Sequence, residues 1–249
     1  MKRILFVFIL AISLNVQSQT LSEIAREVDK VCPMKQGFMD IKACRFSQNT
    51  FVFDINIDAG KQFNIQYFKN KPTEGKEWFK IWLMFIHKTT PYLCNRIIQK
   101  NVNLKINIKD LSHNVSHIVV LTPKDIQNAI NRYGMLSDNE LSLTSQVVSS
   151  NIQTPQVVDR ITTMIGAKLT PKALQFEYVI DDSQIDMSKL KEYLNENRAD
   201  ILHQYTSSYA YEAITKALVS SHRSFVLLYK GKNSKLSYSI TFNTRELSY

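Results

Sequence analysis

The stretch "NTFVFDINID", Asn49 to Asp58, decides the fold, because it returns in paraphrase 123 positions later as "KALQFEYVID", Lys172 to Asp181. Three pairs are identical, Phe53/Phe176, Ile57/Ile180 and Asp58/Asp181, and the other apolar residues keep nearly the same alternating places. Phe51, Phe53, Ile55 and Ile57 are separated by Asp54 and Asn56. A period of two with polar interleaving predicts a strand buried on one side. "IKACRFS" (Ile41 to Ser47) leads into the first stretch through Gln48-Asn49, and "MIGAKLT" (Met164 to Thr170) leads into the second through Pro171-Lys172. Each pair of runs with its tight polar join predicts a hairpin, and the two hairpins align without a gap.

Working outward, each hairpin is followed by a helical stretch of nearly the same length, Ala59 to Asn101 and Asp182 to His222. Each of these is expected to hold two helices. In the first, Thr90 is placed as the N-cap and Pro91 as the opening residue of the second helix. A further hairpin then closes each unit: "NLKINIKD" with "VSHIVVLTP", and "SFVLLYKG" with "LSYSITFN". Helices over Leu21–Val31 and Pro155–Thr163 are expected to lead the two units, matched through Val28-Asp29-Lys30-Val31 and Val158-Asp159-Arg160-Ile161. Between the units, "PKDIQNAINRYG" predicts a helix capped by Thr122 and closed by Gly134. The expected fold is therefore α+β: two tandem ββαββ units, each an antiparallel four-stranded sheet with helices packed on one face. The units are placed at residues 20–123 and 155–249, with residues 124–154 as a helical and polar linker.

The chain opens "MKRILFVFILAISLNVQSQT". Lys2 and Arg3, an apolar run from Ile4 to Leu14 and a polar stretch with Ser18 have the layout of a signal peptide spanning residues 1–19. The apolar run is too short to cross a bilayer, which takes roughly 20 residues. The expected location is thus exported: periplasmic, outer-surface or extracellular. No transmembrane helix is expected in the mature chain.

The segment "VDKVCPMKQGFMDIKACRFSQNTFVFDINID", Val28 to Asp58, resembles the opening of a family of uncharacterised exported proteins of Bacteroidota. In that family a Cys-Pro, here Cys32-Pro33, is followed by a hairpin, a helix and a second hairpin. The resemblance implies the architecture and export, and carries no functional residue with it. The second unit lacks the Cys-Pro near Thr162-Thr163.

Composition narrows the function classes. Glycine is scarce, six residues in 249, where phosphate-cradling loops need it for close backbone approach. The formal charge is +9 and uneven: residues 20–123 carry 15 basic and 9 acidic side chains, residues 124–249 carry 14 and 13. The lysines of the first unit are scattered, without the aromatic-basic motifs of the common nucleic-acid folds. A solvated basic face, or one that meets an anionic surface, is expected in place of nucleic-acid binding.

Cys32, Cys44 and Cys94 are the three cysteines, and an exported chain suits one disulfide with one thiol left over. Three pairings are open; Cys32–Cys94 is preferred, since Cys44 reads as a core strand residue.

No nucleophile elbow, zinc-protease helix, C-x-x-C, Walker loop or dinucleotide fingerprint occurs. His113 and His117 lie four apart on turn and strand, too far from each other for one metal. Asp181, Asp182 and Asp186 lack the glycine and terminal glutamate of a calcium loop, and Asp186 is expected to cap the following helix. Neither a metal nor a cofactor is expected.

The most unusual run is "WFKIWLMFI", Trp78 to Ile86. A helix apolar on all sides is either buried on several sides or docks on a partner, which makes Trp78 and Trp82 the candidate binding residues. The functional expectation is an exported, non-enzymatic binding or structural module. Its contacts, to an unknown protein or an anionic surface, would lie mainly on the basic, aromatic-rich first unit. The alternatives are an exported enzyme with a site between the units, or a secreted inhibitor of another enzyme.

Overall fold

The computed structural model describes residues 19–36, 39–58, 64–206 and 209–248. The expected signal peptide, apart from Gln19, lies outside these residues. Two compact units part between Met135 and Leu136.

The first unit opens with α1 (Leu21–Lys30), whose buried residues Leu21, Ile24, Ala25 and Val28 recur at helical spacing. Thr20 caps it, and Glu23 returns the bond to the Thr20 backbone. That capping box satisfies donors the first turn leaves unpaired. Strands β1 (Met34–Gln36), β2 (Met39–Ser47) and β3 (Thr50–Ile57) follow. Gln48 and Asn49, at φ 48° and 57°, make the left-handed two-residue connection whose twist suits a hairpin. Helices α2 (Ile65–Asn70), α3 (Pro72–Thr89) and α4 (Pro91–Gln99) cross to β4 (Asn103–Asp110) and β5 (Val115–Leu121). Helix α5 (Pro123–Tyr133), capped by Thr122 with Asp125 reciprocating, ends the unit at Gly134.

The second unit repeats the order. Helix α6 (Asp138–Gln153) leads into β6 (Gln156–Val157), β7 (Thr162–Leu169) and β8 (Ala173–Ile180). Helices α7 (Met187–Glu196), α8 (Arg198–Thr206) and α9 (Tyr209–Ser220) cross to β9 (Ser224–Gly231) and β10 (Ser237–Phe242), and a short 3₁₀ turn covers Glu246–Ser248.

Several expectations are corrected. Each sheet has five strands, in the orders β1-β2-β3-β4-β5 and β10-β9-β8-β7-β6; the additional edge strands, β1 and β6, are only three and two residues long. Neither sheet is wholly antiparallel, since β3 pairs β4, and β8 pairs β9, in parallel. The cause is the crossover: a helical connection carries the chain back to the end of the sheet where the previous strand began, so the next strand runs the same way. The crossovers contain three helices each. Thr90 does separate α3 from α4, but its hydroxyl donates to the Ile86 carbonyl at 2.8 Å and caps nothing that follows.

Residues 124–154 form no linker, because α5 packs in the first unit and α6 opens the second. The helix expected over Pro155–Thr163 is instead the β6 region, and α6 is the true counterpart of α1. The corrected alignment is close. A β-bulge falls between Ile41 and Ala43 in one sheet and between Met164 and Gly166 in the other. Asp29 at the end of α1 accepts the Cys44 N–H at 2.9 Å, and Asn151 at the end of α6 accepts the Ala167 N–H at 2.7 Å. The true partner of Cys32-Pro33 is Thr154-Pro155, and both peptide bonds are cis.

One sheet face in each unit lies under helices. Phe53 meets Trp82 of α3 edge to face at 5.9 Å, and Phe176 and Leu227 share a core with Leu194, Ile201 and Leu218. The other face mixes charged pairs with apolar residues such as Val52, Ile118 and Val120. There Arg45 pairs with Asp54 in the first unit, and Lys168 with Glu177 at the same two register positions in the second.

Candidate functional site

Trp78 and Trp82, the expected binding residues, are 5% and 3% exposed and lie in the core of the first unit. They belong to an edge-to-face chain: Phe53 to Trp82 at 5.9 Å, Trp82 to Phe79 at 6.3 Å, Phe79 to Trp78 at 5.0 Å, and Trp78 to Phe68 at 5.7 Å. Such pairs add to the gain from burying large rings. The apolar run from Trp78 to Ile86 is the core of its unit.

The other sequence candidates also have structural roles. His113 Nδ1 lies 2.9 Å from Oδ2 of Asp110, a wholly buried carboxylate that also accepts the Ile65 and His113 backbone N–H groups. His117 is held below its usual range by partial burial and by Lys69. Among the described residues, no group of three or more His, Cys, Asp or Glu could hold a metal ion. Asp186 caps α7 by accepting the Ser188 N–H at 2.9 Å. Asp182 accepts the backbone N–H groups of Asn233 and Ser234 at 2.8 and 2.7 Å, which pin the β9–β10 turn; the Ser234 hydroxyl foremost, then these N–H groups, hold its carboxyl far below the ordinary range. Cys32, Cys44 and Cys94 are all free thiols in this structure, and no pair of them is bridged, Cys32–Cys94 included. Burial, with Asp29 and Asp40 nearby, pushes Cys32 up to about 11, and burial pushes Cys94 up to about 12.

A cleft of about 650 Å³ lies instead within the second unit, between α7 and α8 on one side and the ends of β7, β8 and β9 on the other. Its floor is Tyr178 stacked on Tyr229, ring centroids 5.1 Å apart and planes 21° apart. The Tyr178 and Tyr205 hydroxyls lie 2.7 Å from each other. Burial drives the Tyr229 phenol well above its ordinary range. Ile161, Ile180, Ile185 and Leu190 supply apolar walls, while Lys189, Tyr193 and Gln204 stand at the mouth. Tyr193 is 57% exposed.

The acids at this cleft serve the backbone. Asp159 accepts the Ile161 and Thr162 N–H groups, both at 2.8 Å, and Asp186 is the helix cap. The cleft thus offers aromatic faces, phenolic hydroxyls, an amide and an ammonium. That is a set for holding an amphipathic molecule, with stacking and apolar contact supplying the attraction and hydroxyls the orientation.

The floor of the cleft differs from the matching places in the first unit. Tyr178 occupies the place of Ile55, and Tyr229 that of Ile108, in otherwise matching parallel ladders. In the first unit Ile55, Ile57 and Ile108 are at most 2% exposed, and Phe68 and Trp78 are buried against each other. Nothing in the local pattern of the sequence marks the four tyrosines. The readable signal is the change from isoleucine to tyrosine between the two copies.

Fold and cleft define a tandem α+β protein with an aromatic cleft in one of its two units. No protein-family model matches the chain, and no curated protein matches it in sequence. Among solved structures, it is similar to a crystal structure from Pseudomonas aeruginosa described as a "putative secreted protein". The TM-score is 0.37 and the identity 11%, and the match covers 45% of this chain and 98% of that one. A likeness that remote says nothing of activity. No described helix is long and apolar enough to cross a membrane.

Proposed function

We propose that the protein is an exported binding module that takes a small amphipathic ligand in the tyrosine-lined cleft of its second unit. The observation that carries this reading is the cleft itself, about 650 Å³ with stacked Tyr178 and Tyr229 as its floor. That volume falls within the range of small-molecule sites, roughly 300–1,000 Å³. Export is supported by the leader-like first 19 residues. The first unit, its aromatic run consumed by its own core, serves as a stable partner domain with a basic exterior.

Lys189 at the mouth, with Asp159 and Asp186 in the same lining, offers a polar contact to a ligand built on a flat apolar body. The anionic naphthalene dye ANS is a probe of that chemistry. Wild-type protein is expected to bind one equivalent saturably. Tyr193→Ala and Lys189→Glu, both at exposed positions that leave the fold unchanged, each weaken the dye by about tenfold, the loss expected for one aromatic or charged contact. Saturable binding unaffected by either change, or none at all by the wild type, would overturn the assignment.

A further inference from the structure

We infer that Cys32 and Cys44 are joined by a disulfide in the oxidised protein, stapling the end of α1 to the bulge of β2, while Cys94 stays a thiol.

The register brings the two cysteines together. Strand β1 runs antiparallel to β2 with Met34 opposite Ile41. Extending that register two residues back places Cys32 opposite Ala43, one place from Cys44. A residue one place along the strand from a cross-strand partner has its Cα roughly 6 Å away, inside the span a disulfide bridges, about 4.4–6.8 Å. The side chains converge from the same places. Asp29 holds the Cys44 N–H at 2.9 Å, and the Cys32 thiol sits on the Val28 carbonyl at 3.4 Å, one helical turn before it. The two thiols also feel each other electrostatically, Cys32 helping to raise Cys44, whereas burial alone acts on Cys94.

The second unit supplies an independent observation. At the matching positions it has neither cysteine, only Thr154 and Ala167. There Asn151 makes a two-bond bracket to Ala167, its Oδ1 accepting the N–H at 2.7 Å and its Nδ2 donating to the carbonyl at 2.9 Å. Thr154 adds a bond to the Asn151 carbonyl at 2.8 Å. Asp29 has no donor with which to reach the Cys44 carbonyl. One unit closes the same joint with an amide and a hydroxyl; in the other, two sulfurs stand where those groups are missing.

The bridge forms by thiol–disulfide exchange. The half-exposed Cys32, as thiolate, attacks a disulfide oxidant and releases one of its thiols; Cys44 then attacks the Cys32 sulfur and releases the second. Two protons and two electrons leave the pair, and the oxidant becomes two thiols. Thiols whose ionised form is disfavoured are poor leaving groups, so the bridge resists reduction.

The test is peptide mapping of the whole chain equilibrated with oxidised glutathione, denatured, alkylated and digested with trypsin without reductant. The expected result is residues 31–35 linked to residues 43–45, with Cys94 alkylated in residues 89–96. A linkage to Cys94, or alkylation of all three cysteines, would overturn the inference. A second arm is independent of the map. Reductant is expected to lower the melting temperature of the wild type and of Cys94→Ser by about 5 °C or more. It leaves Cys32→Thr/Cys44→Ala unchanged. Equal sensitivity in all three proteins counts against the bridge.

Discussion

The two units share a ladder, a bulge and a crossover, yet they fill the space between sheet and helices differently. In the first, a chain of five buried rings runs from Phe53 through Trp82, Phe79 and Trp78 to Phe68, and isoleucines complete the floor. In the second, Tyr178 and Tyr229 replace two of those isoleucines, and the helices above stand away from the sheet far enough to leave a cleft. A tyrosine in a core needs a partner for its hydroxyl, and Tyr178 has one in Tyr205 at 2.7 Å. One copy fills that layer with rings, and the other sets a stacked tyrosine pair at the floor of a cleft.

The largest test of this contrast is Trp82→Ala. It removes a ring at the middle of the first unit's chain and is expected to cost about 3–5 kcal/mol in urea unfolding, whereas Tyr193→Ala in the second unit changes stability by less than about 0.5 kcal/mol. Next comes Asp110→Ala. It strands the Ile65 and His113 N–H groups in a wholly buried position and costs about 3 kcal/mol. In the second unit Gly231 stands at that register position, and an added Cβ there would come within 2.3 Å of Ser234 and 2.4 Å of Asp182. The same task has passed from one carboxylate to another. Ile55→Tyr sharpens the comparison further: placed in the closed unit, the cleft residue overpacks by about 1–3 kcal/mol and opens no site.

A smaller effect is expected in acid. Despite partial burial, which acts the other way, Lys76 and Thr122 hold Asp125 down to about 2. Its folded value lies below its unfolded one, about 4, so its contribution is present above pH 4 and disappears as the pH falls through about 2. Urea midpoints between pH 5 and 2 should therefore fall less steeply for Asp125→Asn than for the wild type. The smallest effect is that of Asp29→Asn, which installs the bracket of the second unit. It changes the stability of the first unit by under about 0.5 kcal/mol, while Asp29→Ala loses the bond to Cys44 and about 1–2 kcal/mol.

By itself the sequence determined the duplication, because a strand pattern of period two survives substitution as long as the buried places stay apolar: Phe51/Leu174 and Ile55/Tyr178 keep the phase without keeping the residue. It also determined the Gln48-Asn49 turn, the Thr122 cap and the break before Pro91, each set by the conformational preferences of neighbouring residues. Only the tertiary structure decided the parallel central pair, the short edge strands and the assignment of α5 and α6 to different units, since strand partners and helix docking depend on residues far apart in the chain. The same holds for the sites. Whether Trp78 and Trp82 face a partner or their own sheet, whether Tyr178 lies beside Tyr205, and whether Cys32 lies beside Cys44 are questions of distance in space. The local periodicity of a chain shows which residues are apolar and in what phase; it does not show how much room is left once both layers have met.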